Sequence, residues 1–429
     1  MILLVQNGLL VNPAGRSGNF DILVEDGKVV AIEPKIRENL FSTYSNVEVI
    51  NAENLIVAPG LVDVHVHFRD PGFTYKESIT TGAEAAKAGG FTTVVMMANT
   101  NPTIDNLETL EYVLKKGATT GINVKTCANI TKGMNGKELT DMVALHKAGA
   151  VGFTDDGASI LNEQLVMDAM KIARELEVPL SFHEEDPSYI LSPGFNNGYA
   201  SRTLGVGGAD RLAEFSIASR DIELASRTKA RIDIQHISTE EVVDLVRTAK
   251  IKGLDIHAEA TPNHFSLTEE DVIKYRTLAK INPPIRTEAD RQAIIKGLAD
   301  GTIDMIVTDH APHTTEEKAK GLELAPSGII GLETSLALGI TKLVKTGDLS
   351  LDQLICRMSY GPARAYNLDD AGVIEVGKPA DIVVFDANKE ITVSKDFASR
   401  SKNSPYIGWK LFGEVEYTIC AGNVVYSAD

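Results

Sequence analysis

Two histidines in one apolar, strand-like segment have the type and spacing needed to do chemistry. Residues 63–72 read DVHVHFRDPG, with His65 and His67 separated by a single valine. Residues i and i+2 of a β-strand point to the same face, so the two imidazoles would converge. Neutral imidazoles are favoured ligands of Zn²⁺. Arg69 continues the same face, so the segment predicts a metal site with a cationic group beside it.

Metal-binding residue types recur at the ends of later apolar segments. Four histidines with two or more carboxylates exceed the ligands of one tetrahedral zinc ion, which predicts two ions sharing a carboxylate and a water. Such a pair lowers the pKa of the water and polarises a carbonyl, as hydrolysis requires. Asp309 beside that water would act as the general base. The strand-end residues are Asn99, Asp155, Asp156, His183, His236 and Asp309.

The elements that must position these residues alternate between strands and helices. Eight strands alternating with helices predict an α/β fold, the (β/α)8 TIM barrel, whose active sites gather at the carboxyl ends of the strands. A doubly wound sheet is the alternative, but no glycine-rich dinucleotide turn follows the first strand. The predicted strands are residues 60–68, 92–97, 122–128, 150–154, 179–183, 231–236, 254–259 and 302–308. Amphipathic helical segments include residues 78–88, 138–148, 163–175 and 209–227.

Both ends of the sequence have β-strand patterns instead. Short apolar runs separated by turn residues fill the first 58 positions, with a turn signal at residues 25–28. After about residue 365 the pattern returns to strands. We therefore predict a small, β-sandwich-like domain built from residues 1–58 and 365–429, and a catalytic barrel of residues 59–364.

The composition limits the class of partner. The chain has 429 residues, of which 42 are Lys or Arg and 59 are Asp or Glu, giving a net charge of −17. That charge argues against nucleic acid or an anionic membrane as the main partner. No apolar stretch reaches the roughly 18 residues of a membrane span, and the N-terminal segment lacks the basic region of a signal peptide. Three widely spaced cysteines fit no disulfide pattern, so we expect a cytoplasmic protein.

Many motifs together resemble the amidohydrolase superfamily, and within it the bacterial long-chain dihydroorotase family. They are DVHVHFRDPG, MMANTNP, VGFTDDG, SFHEED, IQHIS, AEATPNHF, KINPPIR, VTDHAPH and GIIGLETSL. These motifs cover the predicted barrel nearly end to end, and GVIEVGKPADIVVFD resembles the β domain of the superfamily. The resemblance implies reversible, zinc-dependent hydrolysis of (S)-dihydroorotate to N-carbamoyl-L-aspartate, the ring-closing reaction of pyrimidine biosynthesis read in reverse.

The resemblance also implies a ligand set for two zinc ions per subunit, with a bridging hydroxide. Asp156 would be the bridging carboxylate. Many relatives, including hydantoinases and allantoinases, use a carboxylated lysine there, but residues 151–157 contain no lysine. Asp155 is the other candidate, and only one of two adjacent strand residues can face the site. The remaining ligands would be His65, His67 and Asp309 at one ion, and His183 and His236 at the other.

The implied substrate is a small ring bearing one carboxylate, which Arg69 can bind through two parallel hydrogen bonds. Relatives usually carry an aromatic residue where Ser327 stands, so this sequence departs from the pattern there. The polar segment at residues 314–326 is predicted to be a mobile lid. The predicted substrate-binding residues are His67, Arg69, Asn99, Asn282, His313, Ser327 and Gly328. Three histidines are interpreted as structural: His146, His257 and His264.

Two alternatives remain on sequence grounds. One is another cyclic-amide hydrolase of the same fold, an allantoinase or a hydantoinase. The other is a catalytically silent scaffold relative, although every predicted ligand position is filled. The family resemblance further implies a homodimer and an association with aspartate transcarbamoylase.

Overall fold

Short β-strands form the first part of the chain in this computed structural model, which describes residues 2–36 and 47–428. Asp26 and Gly27 have φ angles of 47° and 81°, the geometry that an Asp-Gly pair favours in a two-residue hairpin turn. The turn predicted at residues 25–28 is therefore present, whereas residues 37–46 of the predicted β region lie outside the described residues. The strands are β1 (Ile2–Gln6), β2 (Leu9–Leu10), β3 (Gly18–Asn19), β4 (Asp21–Glu25), β5 (Lys28–Glu33), β6 (Val47–Asn51) and β7 (Ile56–Pro59).

Eight parallel strands then form a closed ring. They are β8 (Leu61–Val66), β9 (Phe91–Met96), β10 (Asn123–Thr126), β11 (Phe153–Thr154), β12 (Leu180–Phe182), β13 (Ile232–Ile234), β14 (Ile256–Ala260) and β15 (Met305–Ile306). A three-stranded sheet, β8 to β10, and a five-stranded sheet, β11 to β15, account for all of them. Parallel bridges from Ala128 to Phe153 and from Val66 to His310 join the two sheets at both edges. The predicted (β/α)8 barrel is thus confirmed.

Helices follow the barrel strands and cover them. In the fourth helix the buried residues Val166, Ala169, Met170 and Ala173 recur at helical spacing and form one apolar face. The first helices are α1 (Ile79–Ala88), α2 (Leu107–Gly117), α3 (Met142–Lys147), α4 (Glu163–Leu176), α5 (Tyr199–Leu204), α6 (Arg211–Thr228) and α7 (Glu240–Ile251). They continue as α8 (Pro262–Ser266), α9 (Glu269–Tyr275), α10 (Glu288–Asp300), α11 (Thr315–Lys318), α12 (Ser335–Gly339), α13 (Leu351–Ile355) and α14 (Gly361–Ala365). None of the helices that the structure describes is long and apolar enough to cross a membrane.

Three final strands return the chain to its beginning. They are β16 (Ile382–Thr392), β17 (Lys410–Cys420) and β18 (Asn423–Ser427). A six-stranded sheet has the order β18-β17-β16-β7-β2-β3, and a four-stranded sheet has the order β5-β4-β1-β6. Leu3, Val24, Val57 and Ile382 share one buried core between the two sheets. The β domain formed from both termini is therefore present, while its division at residues 58 and 365 stays a prediction.

Candidate metal centre and active site

The predicted site residues meet at the carboxyl ends of the barrel strands. A cavity of about 130 Å³ opens at this end, and all of the predicted site residues except His65 and His313 line it. His65 lies in β8, and further residues follow their strands within three positions: His67 after β8, Asn99 after β9, Asp156 after β11, His183 after β12, His236 after β13 and Asp309 after β15. The barrel topology thus brings together residues that are up to 244 positions apart, the separation of His65 and Asp309.

Two groups of three possible ligands share one carboxylate. Among the described residues, His65, His67 and Asp156 form one group, and Asp156, His183 and His236 form the other. Within each group the ligand atoms lie within 4.8 Å of one another. A carboxylate common to two imidazole pairs is the arrangement that a bridged pair of metal ions requires.

The ring nitrogens of both groups lie at similar distances from the carboxylate of Asp156. Nε2 of His65 lies 3.5 Å from Oδ1 of Asp156, and Nε2 of His67 lies 3.5 Å from Oδ2. In the second group, Nδ1 of His183 lies 3.7 Å and Nε2 of His236 lies 4.0 Å from Oδ1 of Asp156. The four ring nitrogens therefore surround one carboxylate.

Asp309 lies beside the first of these groups. Its Oδ1 is 2.9 Å from Nε2 of His67 and 3.7 Å from Nε2 of His65. Its side chain is 13% exposed, unlike the fully buried His65, so it faces the cavity. Asp309 can therefore contact both a metal ion and a reacting molecule.

The residues present fit a zinc pair. Nδ1–H of His65 donates to Oε2 of Glu259 at 2.8 Å, which leaves the lone pair on Nε2. That Nε2 is buried and has no hydrogen-bond partner among the described residues. A buried nitrogen without a partner costs free energy, which coordination of a cation would offset.

Asp155 and Asp156 point in opposite directions, as expected of adjacent residues at a strand end. Oδ1 of Asp155 accepts hydrogen bonds from the backbone N–H groups of Ile130 at 2.9 Å and Thr131 at 3.1 Å. Its Oδ2 accepts a further bond from the hydroxyl of Thr131. Asp155 therefore anchors the neighbouring loop, and Asp156 is the carboxylate that faces the metal-ligand groups.

The electrostatics favour an ionised Asp156. Burial alone would raise its pKa, but the surrounding His65, His67 and His183 rings hold the pKa well below the usual range. Burial and the nearby His183 and His65 rings lower the pKa of His236 well below its usual value, so it stays neutral. An ionised carboxylate and a neutral imidazole are the forms that bind metal ions.

The backbone at the site has unusual geometry at three residues. Arg69, His236 and Asp309 have φ angles of 55°, 31° and 44°, in a region that non-glycine residues rarely adopt. Each such residue costs on the order of 1–3 kcal/mol, and these residues cluster at functional sites. Nε of Arg69 is buried without a hydrogen-bond partner in the described chain, beside the cavity. The guanidinium is therefore available to an anionic ligand.

Three other predicted substrate residues contact one another. Oγ of Ser327 donates to Oδ1 of Asn282 at 2.9 Å, and both line the cavity. Nε2–H of His313 donates to the backbone carbonyl of Ser327 at 2.9 Å. Burial, and then the charges of Arg69 and Lys76, lower the pKa of His313 to about 2. His313 is thus neutral and supports the cavity wall, and its contact with substrate stays a prediction.

The segment predicted to be a lid lies against this wall. It contains α11, and Nζ of the buried Lys318 donates to the carbonyls of Pro326 at 2.9 Å and Gly328 at 3.0 Å. Nζ of Lys280 donates to the carbonyl of Leu322 at 2.8 Å. Hydrogen bonds from Lys280 and Lys318 therefore connect residues 314–326 to the cavity wall. The mobility of this segment stays a prediction.

Two carboxylates that hold ligand histidines were missed from sequence. Glu259 bonds to His65, and Oε2 of Glu185 accepts from Nε2–H of His183 at 2.9 Å. A signal did exist for Glu259, because it is the last residue of the strand predicted at 254–259. Glu185 follows its histidine by two positions in a run of three acidic residues, where nothing distinguishes it.

A model of the amidohydrolase family matches residues 56–425. The chain belongs to the amidohydrolase family. The dihydroorotase of Clostridioides difficile (strain 630) is 53% identical to this amidohydrolase over 428 residues, which covers 100% of both chains. The dihydroorotase of Streptococcus pneumoniae serotype 4 is 49% identical over 429 residues, again covering 100% of both. These full-length identities place this amidohydrolase among the dihydroorotases.

Solved structures have the same fold as this amidohydrolase. The L-hydantoinase (dihydropyrimidinase) from Arthrobacter aurescens superposes with a TM-score of 0.87 at 25% identity, covering 99% of this chain and 96% of that one. The dihydropyrimidinase from Brevibacillus agri gives a TM-score of 0.87 at 21% identity, covering 100% and 95%. The likeness extends over the barrel and the terminal β domain together.

Proposed function

We propose that this chain is a zinc-dependent dihydroorotase that interconverts (S)-dihydroorotate and N-carbamoyl-L-aspartate. In hydrolysis, water adds to a ring carbonyl and the adjacent C–N bond breaks, which leaves a carboxylate and the NH₂ group of the carbamoyl unit. The observation that carries the proposal is the position of Asp156, common to two imidazole groups, in a cavity that Arg69 also lines.

In this proposal Asp156 would be the carboxylate ligand common to two zinc ions. His65, His67 and Asp309 would bind one ion, and His183 and His236 would bind the other. When bound, the zinc ions lower the pKa of a water molecule and polarise the ring carbonyl. The buried Nε2 of His65, which lacks a hydrogen-bond partner in the described chain, supports this ligand set.

Asp309 moves the proton. Its partly exposed carboxylate takes a proton from the attacking water and delivers it to the ring nitrogen as the C–N bond breaks. In ring closure the same group removes the proton from the carbamoyl nitrogen. Oδ1 of Asp309 lies 2.9 Å from Nε2 of His67, beside the ligand groups where this transfer has to occur.

Arg69 selects the substrate. Its guanidinium would bind the ring carboxylate, with Asn282 and Ser327 on the cavity wall next to the ring. The cavity of about 130 Å³ is smaller than the ~300–1,000 Å³ typical of sites for drug-sized ligands. A single small ring with a charged substituent matches both its size and its chemistry.

The hydantoinase alternative has support from the fold alone. The hydantoinase and dihydropyrimidinase structures share the barrel at 21–25% identity, whereas relatives at 47–53% identity over the full length are dihydroorotases. An aspartate at 156 instead of a lysine favours the substrate that bears a carboxylate. So does Arg69, which lines the cavity and whose Nε has no hydrogen-bond partner in the described chain. The filled ligand positions favour an enzyme over a silent scaffold.

Turnover by the purified protein tests the proposal. Zinc-reconstituted protein should hydrolyse dihydroorotate and should be far slower with hydantoin and allantoin. Arg69→Gln should lower kcat/KM for dihydroorotate about 100-fold, the effect of losing a charge-assisted hydrogen-bond pair, chiefly by raising KM. Faster turnover of hydantoin or allantoin than of dihydroorotate would assign this site to another cyclic-amide hydrolase. Absence of bound zinc and of all turnover after reconstitution would favour the scaffold.

The cellular setting is also part of the proposal. We propose that the protein acts in the cytoplasm as a homodimer and associates with aspartate transcarbamoylase. Cys127, Cys356 and Cys420 are free thiols, which is consistent with a reducing compartment. Sedimentation of the protein alone and mixed with aspartate transcarbamoylase tests both associations, and a monomer with no shift on mixing would contradict them.

A further inference from the structure

Buried polar side chains run down the barrel interior beneath His65. We refer to Glu259, Asp233 and Tyr366 as the interior polar chain. Glu259 accepts from Nδ1–H of His65 at 2.8 Å, and Oδ2 of Asp233 accepts from the hydroxyl of Tyr366 at 2.9 Å. Oγ of Ser181 also donates to this Oδ2 at 2.9 Å. Each of these side chains is at most 2% exposed, so no bulk water replaces their contacts.

Asp233 and Glu259 are neighbours in this chain. Asp233 on β13 pairs with His257 on the adjacent strand β14, and Glu259 lies two positions beyond His257, so the Asp233 and Glu259 side chains project from the same face of the sheet. One oxygen of each, Oδ1 of Asp233 and Oε1 of Glu259, is buried and has no hydrogen-bond partner among the described residues. Burial, and then the charge of Glu259, raise the pKa of Asp233 well above its usual value. A protonated Asp233 that donates to Glu259 satisfies both groups.

We propose that Asp233 and Tyr366 are positioning residues of the metal centre, which fix the ring of His65 through Glu259. A ligand imidazole keeps its orientation and tautomer only while its second nitrogen is held. Oε2 of Glu259 holds Nδ1 of His65 and also accepts from the backbone N–H of His236 at 3.2 Å. In this proposal a protonated Asp233 donates to the second oxygen, Oε1, and so limits rotation of the carboxylate. The inference rests on the proposed metal site and extends it to residues that touch neither metal nor substrate.

Packing alone does not account for these groups. Val64, Val95, Met305 and Val307 form an apolar cluster with Tyr366, and apolar side chains in place of the two carboxyls would avoid the cost of burying them. Tyr366 follows α14 and lines a cleft of about 750 Å³ that none of the predicted site residues lines. The interior polar chain therefore connects His65 to a residue outside the active-site cavity.

Zinc affinity tests the proposal without relying on turnover. Tyr366→Phe removes only the hydroxyl that holds Asp233. Tyr406→Phe is the matched control, since Tyr406 is equally buried and its hydroxyl donates to Oδ1 of Asn263 at 2.8 Å, outside the chain. Competition with a chromogenic chelator should show zinc binding weakened several-fold in Tyr366→Phe and about 10- to 100-fold in Glu259→Gln. The zinc affinity of Tyr406→Phe should stay within about 2-fold of that of the unmodified protein. The Tm of the apoprotein should fall by a similar amount in Tyr406→Phe and in Tyr366→Phe.

Asp233 provides a second pair of variants. Asp233→Asn keeps a neutral donor toward Glu259 and an acceptor for Tyr366, so its zinc affinity should stay within about 3-fold. Asp233→Ala removes both and should weaken zinc binding about 10- to 100-fold. Equal zinc affinities in the unmodified protein, Tyr366→Phe and Asp233→Ala would overturn the positioning role, as would equal losses in both tyrosine variants. Failure of the unmodified protein to bind zinc would instead overturn the proposed metal site.

Discussion

Nδ1–H of His67 donates to Oδ1 of Asn99 at 3.0 Å, which leaves the lone pair of the imidazole on Nε2. The same amide donates from Nδ2 to Oδ2 of Asp156 at 3.0 Å. Asn99 was predicted from sequence to contact substrate, and it does line the cavity. The structure adds that its amide orients a histidine of one ligand group and the carboxylate common to both.

Asn99→Ala should therefore impair the metal centre and not only substrate binding. We expect kcat to fall about 10- to 100-fold and zinc affinity to fall with it, because two ligands lose their orienting partner. Steady-state kinetics and chelator competition measure the two effects. A change confined to KM, with unaltered zinc affinity, would restrict Asn99 to the substrate.

Substitution of Asp155 and of Asp156 should affect different properties, stability and zinc binding respectively. Asp156→Asn should weaken zinc binding by more than about 100-fold. Loss of a residue that only hydrogen-bonds to a metal ligand weakens binding about 10- to 100-fold, and Asp156 is itself a proposed ligand. Asp155→Asn should keep zinc but lower the free energy of unfolding by about 1–3 kcal/mol, because the backbone N–H groups of Ile130 and Thr131 lose a charged acceptor. Metal content and denaturant unfolding of both variants provide the comparison. The reverse pattern would make Asp155 the bridge.

Asp309→Asn should separate metal binding from proton transfer. The amide keeps an oxygen for the metal but cannot accept the proton, so we expect most of the zinc to remain while kcat falls about 10²- to 10⁴-fold. Metal analysis alongside turnover checks this. Substantial turnover by the variant would assign the proton transfer to another group.

His257 should make stability depend on pH. Burial would lower the pKa of His257. Oδ1 of Asp255 lies 3.2 Å from its Nε2 and Oδ1 of Asp304 lies 3.5 Å from its Nδ1, and these two carboxylates raise the pKa to about 9. Because the folded pKa exceeds the unfolded value, this contribution is fully present below about pH 6.5 and is lost as the pH rises through 9. The raised pKa corresponds to about 3 kcal/mol.

The variant His257→Gln isolates this contribution. The difference in the free energy of unfolding between the unmodified protein and His257→Gln should be largest at pH 6 and should shrink by pH 9.5. Urea unfolding at several pH values measures it. A difference that stays constant over this range would show that His257 is not charged in the fold.

Most of the site could be predicted because its residues end strands in a regular pattern. His183, His236 and Asp309 each follow an apolar run at the position where a barrel strand stops, so topology alone brings them together. Most of the barrel strands are shorter than the apolar runs that predicted them. The last one is Met305–Ile306 within a predicted 302–308, although the backbone N–H groups of Asp304 and Val307 also donate to carbonyls of β14.

The supporting residues could not be found in this way. Glu185 and Asp233 are acidic residues near strand ends, and acidic residues are common in this chain, so their types alone carry no signal. Tyr366 lies beyond the last barrel helix, far in sequence from Asp233. Only the three-dimensional packing shows that its hydroxyl meets a carboxyl group 133 positions earlier.

The pairing of β7 with β16 has a consequence for synthesis of the chain. Ile382 lies opposite Pro59, two positions before β8, the strand that contains His65. During translation, β7 has no partner on this side until the ribosome has completed nearly the entire barrel. Because contacts between distant residues form slowly, the nascent chain exposes an unpaired strand edge next to the metal-binding strand until late in its synthesis.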